Sequence, residues 1–322
     1  MKFFTSARAK INGDSAVALG CFDGVHIGHS KIISETVKVA RELSLTSAVW
    51  SFQAPPKSVL NEELSSASSV LTPKNEKRAL IRKLDVDVLI CVPFDLKIAK
   101  LSPREFFVDI LLKRLNAKHI FCGFNYRFGY RGSGDVSLLR SLCDEFSVSL
   151  TVFDEITVGG KTVSSSAIRA FLASGEIEMA QEMLGRPFSI RGIVKDGQHL
   201  GRTLGFPTVN QELPKDKATL KNGVYLTRVR LGRTTKFGVT NIGMRPTVEG
   251  KEPVCETHIL NYSGNLYGKC LTVEFLKFIR PERKFNSLDE LSAQVHLDMR
   301  SATEYIKQEG AASFSAEQKH TK

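Results

Sequence analysis

The chain has 322 residues, enough for two domains that each bury a core, and its 42% apolar and 25% charged content is that of a water-soluble globular protein. Forty-five Lys and Arg against 34 Asp and Glu leave a net charge of +11, which points to anionic ligands. The basic residues are scattered rather than clustered, so nucleic acid is the weaker reading, and no run of about 18 apolar residues offers a membrane span.

Near the N-terminus, Phe3 and Phe4 are soon followed by Arg8 and Lys10, with no apolar segment of signal-peptide type. The six cysteines (Cys21, Cys91, Cys122, Cys143, Cys255, Cys270) form no C-x-x-C pair, and reduced, buried thiols in a cytoplasmic protein are expected.

Ala16 to Leu19 reads as a buried strand. It runs into Gly20-Cys21-Phe22-Asp23-Gly24-Val25-His26-Ile27-Gly28-His29, and then into a helical pattern from Ser30 to Leu45 carried by Ile32, Ile33, Val37, Ala40 and Leu43. A strand, a glycine-bearing turn and a helix start form an anion site, because unpaired N–H groups and the positive end of the helix dipole converge there. His26 and His29 fall on one face of the first turn and are suited to donate to phosphate oxygens, while Gly24 and Gly28 let a ligand approach the backbone. A zinc-protease pattern would set its histidines four apart beside a glutamate, which is not the case here. Helix caps or core histidines are the plainer alternative.

Strand-like and helix-like runs then alternate. Ala48–Phe52, Val86–Val92, His119–Cys122 and Ser149–Phe153 read as strands, and 73–84, 102–115 and 136–146 as helices. Ser102, Pro103 and Glu105 form a capping box. The βαβα order predicts a parallel doubly wound sheet, with ligands at the carboxyl ends of its strands. At such ends lie Gly123-Phe124-Asn125-Tyr126-Arg127-Phe128-Gly129, suited to a ribose or purine, and Ser164-Ser165-Ser166-Ala167-Ile168-Arg169, where an arginine near a helix start calls for an anion. A solvated loop and a serine cap are the plainer readings of these two.

Two short helical stretches broken at Gly175 end at Gly185-Arg186-Pro187. Beyond them Phe188–Val194, Val224–Val229, Thr235–Val239, Val254–Leu260 and Leu271–Phe278 read as strands of an antiparallel, barrel-like second domain. Gly201-Arg202-Thr203-Leu204-Gly205-Phe206-Pro207-Thr208-Val209-Asn210 joins a glycine-bearing loop to a hydroxyl and an amide two residues apart, which share a face if the segment is a strand. Both are oxygen donors for a magnesium–nucleotide complex. Glu256 sits in an otherwise apolar strand, as either a structural partner or a base, and its neighbour Cys255 should face the other way. Ser287 and Glu290 open a last helix with Leu288, Leu291, Val295 and Ile306 on one face. The polar tail after Gly310 is expected to lack structure.

Together these segments resemble the bacterial bifunctional riboflavin kinase/FAD synthetase family, in order and over nearly the whole chain. Phe22-Asp23-Gly24-Val25-His26-x-Gly28-His29 and Gly205-Phe206-Pro207-Thr208-x-Asn210 carry most of the resemblance. Asn241 to Thr247, Leu266-Tyr267-Gly268-Lys269, Ile279-Arg280 and Lys284-Phe285 add to it. The resemblance implies a Rossmann-like nucleotidyltransferase domain over 1–184, a six-stranded flavokinase barrel over 185–308, and the tail at 309–322.

It also implies roles. In the barrel, Glu256 would be the base that takes the riboflavin 5′-hydroxyl proton. Thr208 and Asn210 would hold Mg2+ and ATP, Gly201, Arg202 and Gly205 would lie over the phosphates, and Arg280 would face the flavin. In the first domain His26 and His29, with Asp23, Gly24, Gly28, Asn125, Arg127, Ser165, Ser166 and Arg169, would hold ATP while FMN is adenylylated to FAD. Where the family carries Phe, an acidic residue and Pro-His-Pro, this chain reads Phe52-Gln53-Ala54-Pro55-Pro56. That departure keeps open a riboflavin kinase with a vestigial first domain, and the basic charge keeps open a non-catalytic flavin- or RNA-binding regulator. The expected partners are the small molecules ATP, riboflavin and FMN, and a homo-oligomer is possible.

Overall fold

Five strands in the first half are long enough to bury a sheet: β2 (Ser15–Leu19), β3 (Thr46–Phe52), β4 (Val88–Val92), β5 (Ala117–Gly123) and β6 (Ser149–Phe153). With a short edge strand β1 (Lys2–Phe4) they pair in parallel in the order β1-β4-β3-β2-β5-β6. β2 and β4 are buried along their whole length, as strands covered on both faces must be. Trp50, Val17, Ile90 and Ile120 pack to one side of the sheet; Val49, Ala18, Leu89 and Phe121 pack to the other. The strand order reverses between β2 and β5, so a ligand crevice opens at their carboxyl ends.

These facts come from a computed structural model that describes residues 1–54, 70–196, 201, 204–214, 216–232, 234–247 and 250–319. The chain falls into two compact units, one of Met1–Arg169 with Met183–Gly185 and Asp216–Ala218, the other of Ala170–Glu182, Arg186–Lys215 and Thr219–Lys322.

The first helix, Ile27–Glu42, begins three residues before the apolar pattern does, because His26 caps it. Ile32, Ile33, Val37 and Ala40 are buried as expected, but Leu43 is 58% exposed, since the helix ends at that residue and Ser44 turns with φ 55°. Ser102 and Glu105 do form a reciprocal capping box, yet only Pro103–Glu105 is α-helical. Phe106–Leu112 winds as a π-helix, with Leu115 N–H donating to Ile110 O, and buries Phe106, Phe107, Ile110 and Leu111. A short hairpin of β7 (Thr157–Val158) and β8 (Lys161–Thr162) follows β6, at a place where the sequence shows no strand pattern.

In the second unit, β9 (Phe188–Lys195), β10 (Thr208–Glu212), β11 (Gly223–Leu231), β12 (Thr234–Thr247), β13 (Gly250–Ile259) and β14 (Cys270–Pro281) close an antiparallel barrel in the order β10-β13-β12-β11-β14-β9. β12 runs well past the expected Thr235–Val239, because its pairing with β13 continues to Thr247↔Gly250. Thr227, Thr240 and Thr257 are fully buried, and their hydroxyls satisfy one another at 2.7 and 2.9 Å.

The last helix is Leu288–Lys319. Ser287 Oγ accepts from Glu290 N–H, but the Glu290 carboxylate reaches Asn286 N–H, so the expected box is displaced by one residue. Leu288 is half exposed; Ala302 and Ile306 pack with Val224, Leu226 and Val239. The stretch after Gly310, expected to lack structure, continues the helix to Lys319, and residues 320–322 lie outside the described set.

Candidate active sites

In the first unit, a cavity of about 390 Å3 opens at the β2/β5 crevice, bounded by Gly20, Phe22, His26, Gly28 and His29 after β2, and by Phe124, Asn125 and Arg127 after β5. Ser164, Ser165 and Ser166 close another side, and Trp50 and Phe52 of β3 complete it. His26 is the N-cap of the first helix, and its Nδ1 accepts from the His29 N–H at 3.3 Å. An accepting Nδ1 places the proton of the neutral ring on Nε2, which makes Nε2 a donor. The His26 and His29 rings stack with centroids 3.5 Å apart, and Phe22 meets His29 edge-on. Gly28 permits this: a Cβ there would lie 3.3 Å from the His26 ring.

The turn is strained and tied down. Phe22 and Val25 take left-handed φ values of 49° and 41°, which for a β-branched valine is unusual. Gly24 has φ 87°, and a Cβ there would meet Leu71 at 2.8 Å. Gly24 N–H donates to Thr72 Oγ1 at 2.9 Å, and Ser165 Oγ donates to Asp23 O at 2.8 Å.

Asp23 and Arg169 are placed differently from the other expected ligands. The Asp23 carboxylate is buried behind the cavity wall, where it accepts from Leu71 and Thr72 N–H and from Arg169 Nη1. Both act as a brace between the turn and the helix Ser165–Ser174. Gln53 turns its amide to Cys91 O at 3.3 Å; Pro55 and Pro56 lie outside the described residues.

In the second unit, a cavity of about 290 Å3 is lined by Gly201, Thr208, Asn241, Glu256, His258 and Arg280, together with Glu282 and Asp298. Strand register explains the assembly. Glu256 stands opposite Asn210 in β10 and opposite Asn241 in β12, and Thr208 stands opposite His258. A second cavity of about 460 Å3 lies on the other side of Thr208, lined by Val209, Tyr262, Asn265 and Tyr267. Thr208 borders both.

Phe206 N–H closes on Gly201 O at 2.8 Å, and a Cβ at Gly201 would collide with Phe206 O, so this loop position requires glycine. Gly205 has φ 84°; Arg202 lies outside the described residues. Arg280 forks onto Asp298 at 2.8 to 3.1 Å, an ion pair that spans β14 and the last helix. Cys255 is fully buried and lines neither cavity, and burial pushes its thiol up to about 12.

Among the described residues no cluster of three or more His, Cys, Asp or Glu is arranged to hold a metal, and no helix is long and apolar enough to cross a membrane. Sequence patterns overlooked Lys77, whose ammonium is buried beside the first cavity; no lysine at a helical position announces such a role.

Comparison with known proteins supplies the family. Residues 8–167 match the model of FAD synthetase, and residues 184–306 match that of riboflavin kinase. The Bacillus subtilis bifunctional riboflavin kinase/FMN adenylyltransferase is 36% identical over 295 residues, covering 91% of this chain and 92% of that one. The chain belongs to the bifunctional riboflavin kinase/FMN adenylyltransferase family. The Escherichia coli K12 member is 37% identical over 291 residues, covering 90% of this chain and 92% of its own. A crystal structure named for a macrolide-efflux protein from Streptococcus pneumoniae superposes with a TM-score of 0.85 at 27% identity, covering 94% of this chain and 98% of that one.

As a bifunctional riboflavin kinase/FMN adenylyltransferase, the protein phosphorylates riboflavin to FMN with ATP and adenylylates FMN to FAD. Both halves match, which favours two activities over a lone kinase or a non-catalytic regulator.

Proposed function

We propose that each activity belongs to one of the two sites, with adenylyl transfer in 1–184 and the kinase in 185–308. The observation that carries the kinase assignment is the shared wall at Thr208, with Glu256 in the same cavity. Riboflavin would occupy the cavity that holds Glu256 and Arg280, and ATP the cavity beside Tyr262 and Tyr267. The γ-phosphoryl group then meets the 5′-hydroxyl at Thr208. Glu256 accepts the hydroxyl proton as the new P–O bond forms and ADP leaves.

A magnesium ion suits this site, because Thr208 and Asn210 offer oxygen donors on one side of β10. They would hold it together with nucleotide phosphates and water, and it would neutralise charge on the phosphate oxygens.

In the first unit the FMN phosphate attacks the α-phosphorus of ATP and pyrophosphate leaves, so no protein nucleophile is required. The chain aligns the two phosphates and neutralises charge. The helix N-terminus, His26 Nε2 and His29 face the triphosphate. Ser165 and Ser166 sit across the cavity, and Asn125 and Arg127 line the adenosine side. Asp23 and Arg169 support the turn from behind. The six cysteines are free thiols, which supports a cytoplasmic setting.

Product analysis by chromatography tests this assignment. Riboflavin with ATP and magnesium should give FMN and then FAD, and FMN with ATP should give FAD directly. Glu256→Gln should lose the first reaction and keep the second; loss of both would overturn the separation into two sites.

A further inference from the structure

The cavity of the first unit is backed by a lysine that never reaches its surface. Lys77 is 1% exposed, and its Nζ donates to Cys21 O at 2.9 Å and Phe52 O at 2.8 Å. Both hydrogen-bond partners found for it among the described residues are main-chain carbonyls. Cys21 and Phe52 both border the cavity, one just past the carboxyl end of β2 and the other at the end of β3. One ammonium therefore ties together the two adjacent strand ends that border the cavity.

The tie bears on a strained segment. Cys21 immediately precedes Phe22, the first of three residues with left-handed φ in the turn that carries the histidines. In a trans peptide the C=O and the following N–H point opposite ways, so holding Cys21 O toward Lys77 fixes the plane of the Cys21–Phe22 peptide. Ser51 Oγ donates to the same carbonyl at 2.7 Å, so that plane is doubly held. Such conformations persist only where surrounding contacts over-determine them.

The helix Lys74–Arg82 that carries Lys77 is itself anchored. Arg78 stacks over the Phe3 ring at 4.4 Å, and Glu76 pairs with the buried Lys217. Lys77 is thus a fixed post and not a mobile surface chain.

We propose that Lys77 is a positioning residue for adenylyl transfer: through the carbonyls of Cys21 and Phe52 it sets the strained His26–His29 turn in its reactive geometry. The proposal rests on the reading of that turn as the triphosphate site.

The test uses the full-length enzyme, with its kinase activity as an internal measure of active protein. Lys77→Met should lower kcat for FMN adenylylation by about 100-fold, the scale expected when reacting groups are displaced by about 1 Å. The KM for ATP should change by less than about fivefold, since the turn acts mainly on the transition state. Kinase turnover should be unchanged. Lys77→Arg, which keeps a donor and the charge, should recover at least about a tenth of wild-type kcat.

A Lys77→Met enzyme with wild-type adenylylation kcat would overturn the proposal, and so would Arg and Met variants equally impaired. If the Met variant does not fold, Lys77→Gln decides in the same way: a reduced kcat beside intact kinase turnover supports the role, and a wild-type kcat refutes it. Running His29→Ala alongside separates the two readings. If His29→Ala adenylylates normally, the site itself has been misread; if it is inactive while Lys77→Met is normal, only the role of Lys77 fails.

Discussion

Arg169 donates to Asp23 at 2.8 Å, and the receiving carboxylate is 2% exposed. The two residues lie 146 positions apart and join the phosphate turn to the helix that opens at Ser165. Removing the arginine leaves a buried carboxylate whose remaining partners among the described residues are main-chain and hydroxyl donors. Arg169→Ala should therefore destabilise the first unit by about 3 kcal/mol and depress FAD formation, with the kinase untouched. Urea denaturation followed by near-ultraviolet signals from that unit, with both activities assayed, checks this. An unchanged first-unit transition would return Arg169 to the role of a direct ATP ligand.

Glu256 is placed by strand register, opposite Asn210 on one flank and Asn241 on the other. Glu256→Gln keeps the shape and removes the base. FMN formation should fall by about 10²–10⁴-fold, the usual contribution of a general base, and FMN-to-FAD conversion should be unaffected. Initial rates with riboflavin and with FMN as separate substrates give the answer. A kinase that retains wild-type turnover would make Glu256 a structural partner of the two asparagines.

His29 stacks on His26 at the mouth of the first helix. His29→Ala removes one preorganised donor, and FAD synthesis should lose about 2–4 kcal/mol of transition-state stabilisation. The variant's kcat/KM with FMN and ATP measures this directly. Kinase activity in the same preparation reports whether the protein is folded.

Much of this was legible in the sequence, for physical reasons that differ by element. The parallel sheet can be read because β2, β3 and β4 carry the apolar runs Ala16–Leu19, Ala48–Trp50 and Val88–Val92, and the two phosphate-facing motifs because glycines, histidines and hydroxyls cluster at strand ends. The π-helix was hidden because Phe106–Leu112 has an apolar pattern compatible with either winding. Asp23 and Arg169 read as ligands in the sequence because a motif shows which residues matter, not which way they point; in the fold they pair with each other. Their mutual ion pair depends on a contact across most of the first unit. Lys77 was hidden for the same reason: its partners are carbonyls, which have no sequence signature.

Burial holds several thiols neutral: Cys255 and Cys122 are pushed up to about 12, and Cys143 to about 11. A thiol whose pKa is higher folded than unfolded stabilises the fold fully below the unfolded value of about 8.5, and that stability is lost as pH rises toward the folded values. Calorimetry from pH 7.5 to pH 10.5 should show the melting temperature falling across the upper half of that range. Cys255→Ala should flatten the slope for the barrel transition. Iodoacetamide at neutral pH should leave Cys255 unmodified in peptide mass mapping, because the thiol beside Glu256 is buried and lines neither cavity.

Arg280 holds Asp298 with a fork that a lysine cannot reproduce, since the ammonium is a point charge without two parallel donors. Asp298 is 3% exposed and lies on the last helix, which supplies Leu291 and Val295 to the same cavity wall. Arg280→Lys should therefore let that wall shift against β14. The riboflavin KM should rise roughly tenfold with a smaller change in kcat, the signature of lost binding common to ground and transition states. Steady-state kinase assays over a range of riboflavin concentrations measure it, and FMN adenylylation serves as the control. A melting temperature that falls while the riboflavin KM stays fixed would mean that the pair only fastens the helix to the barrel, and would remove Arg280 from the flavin site.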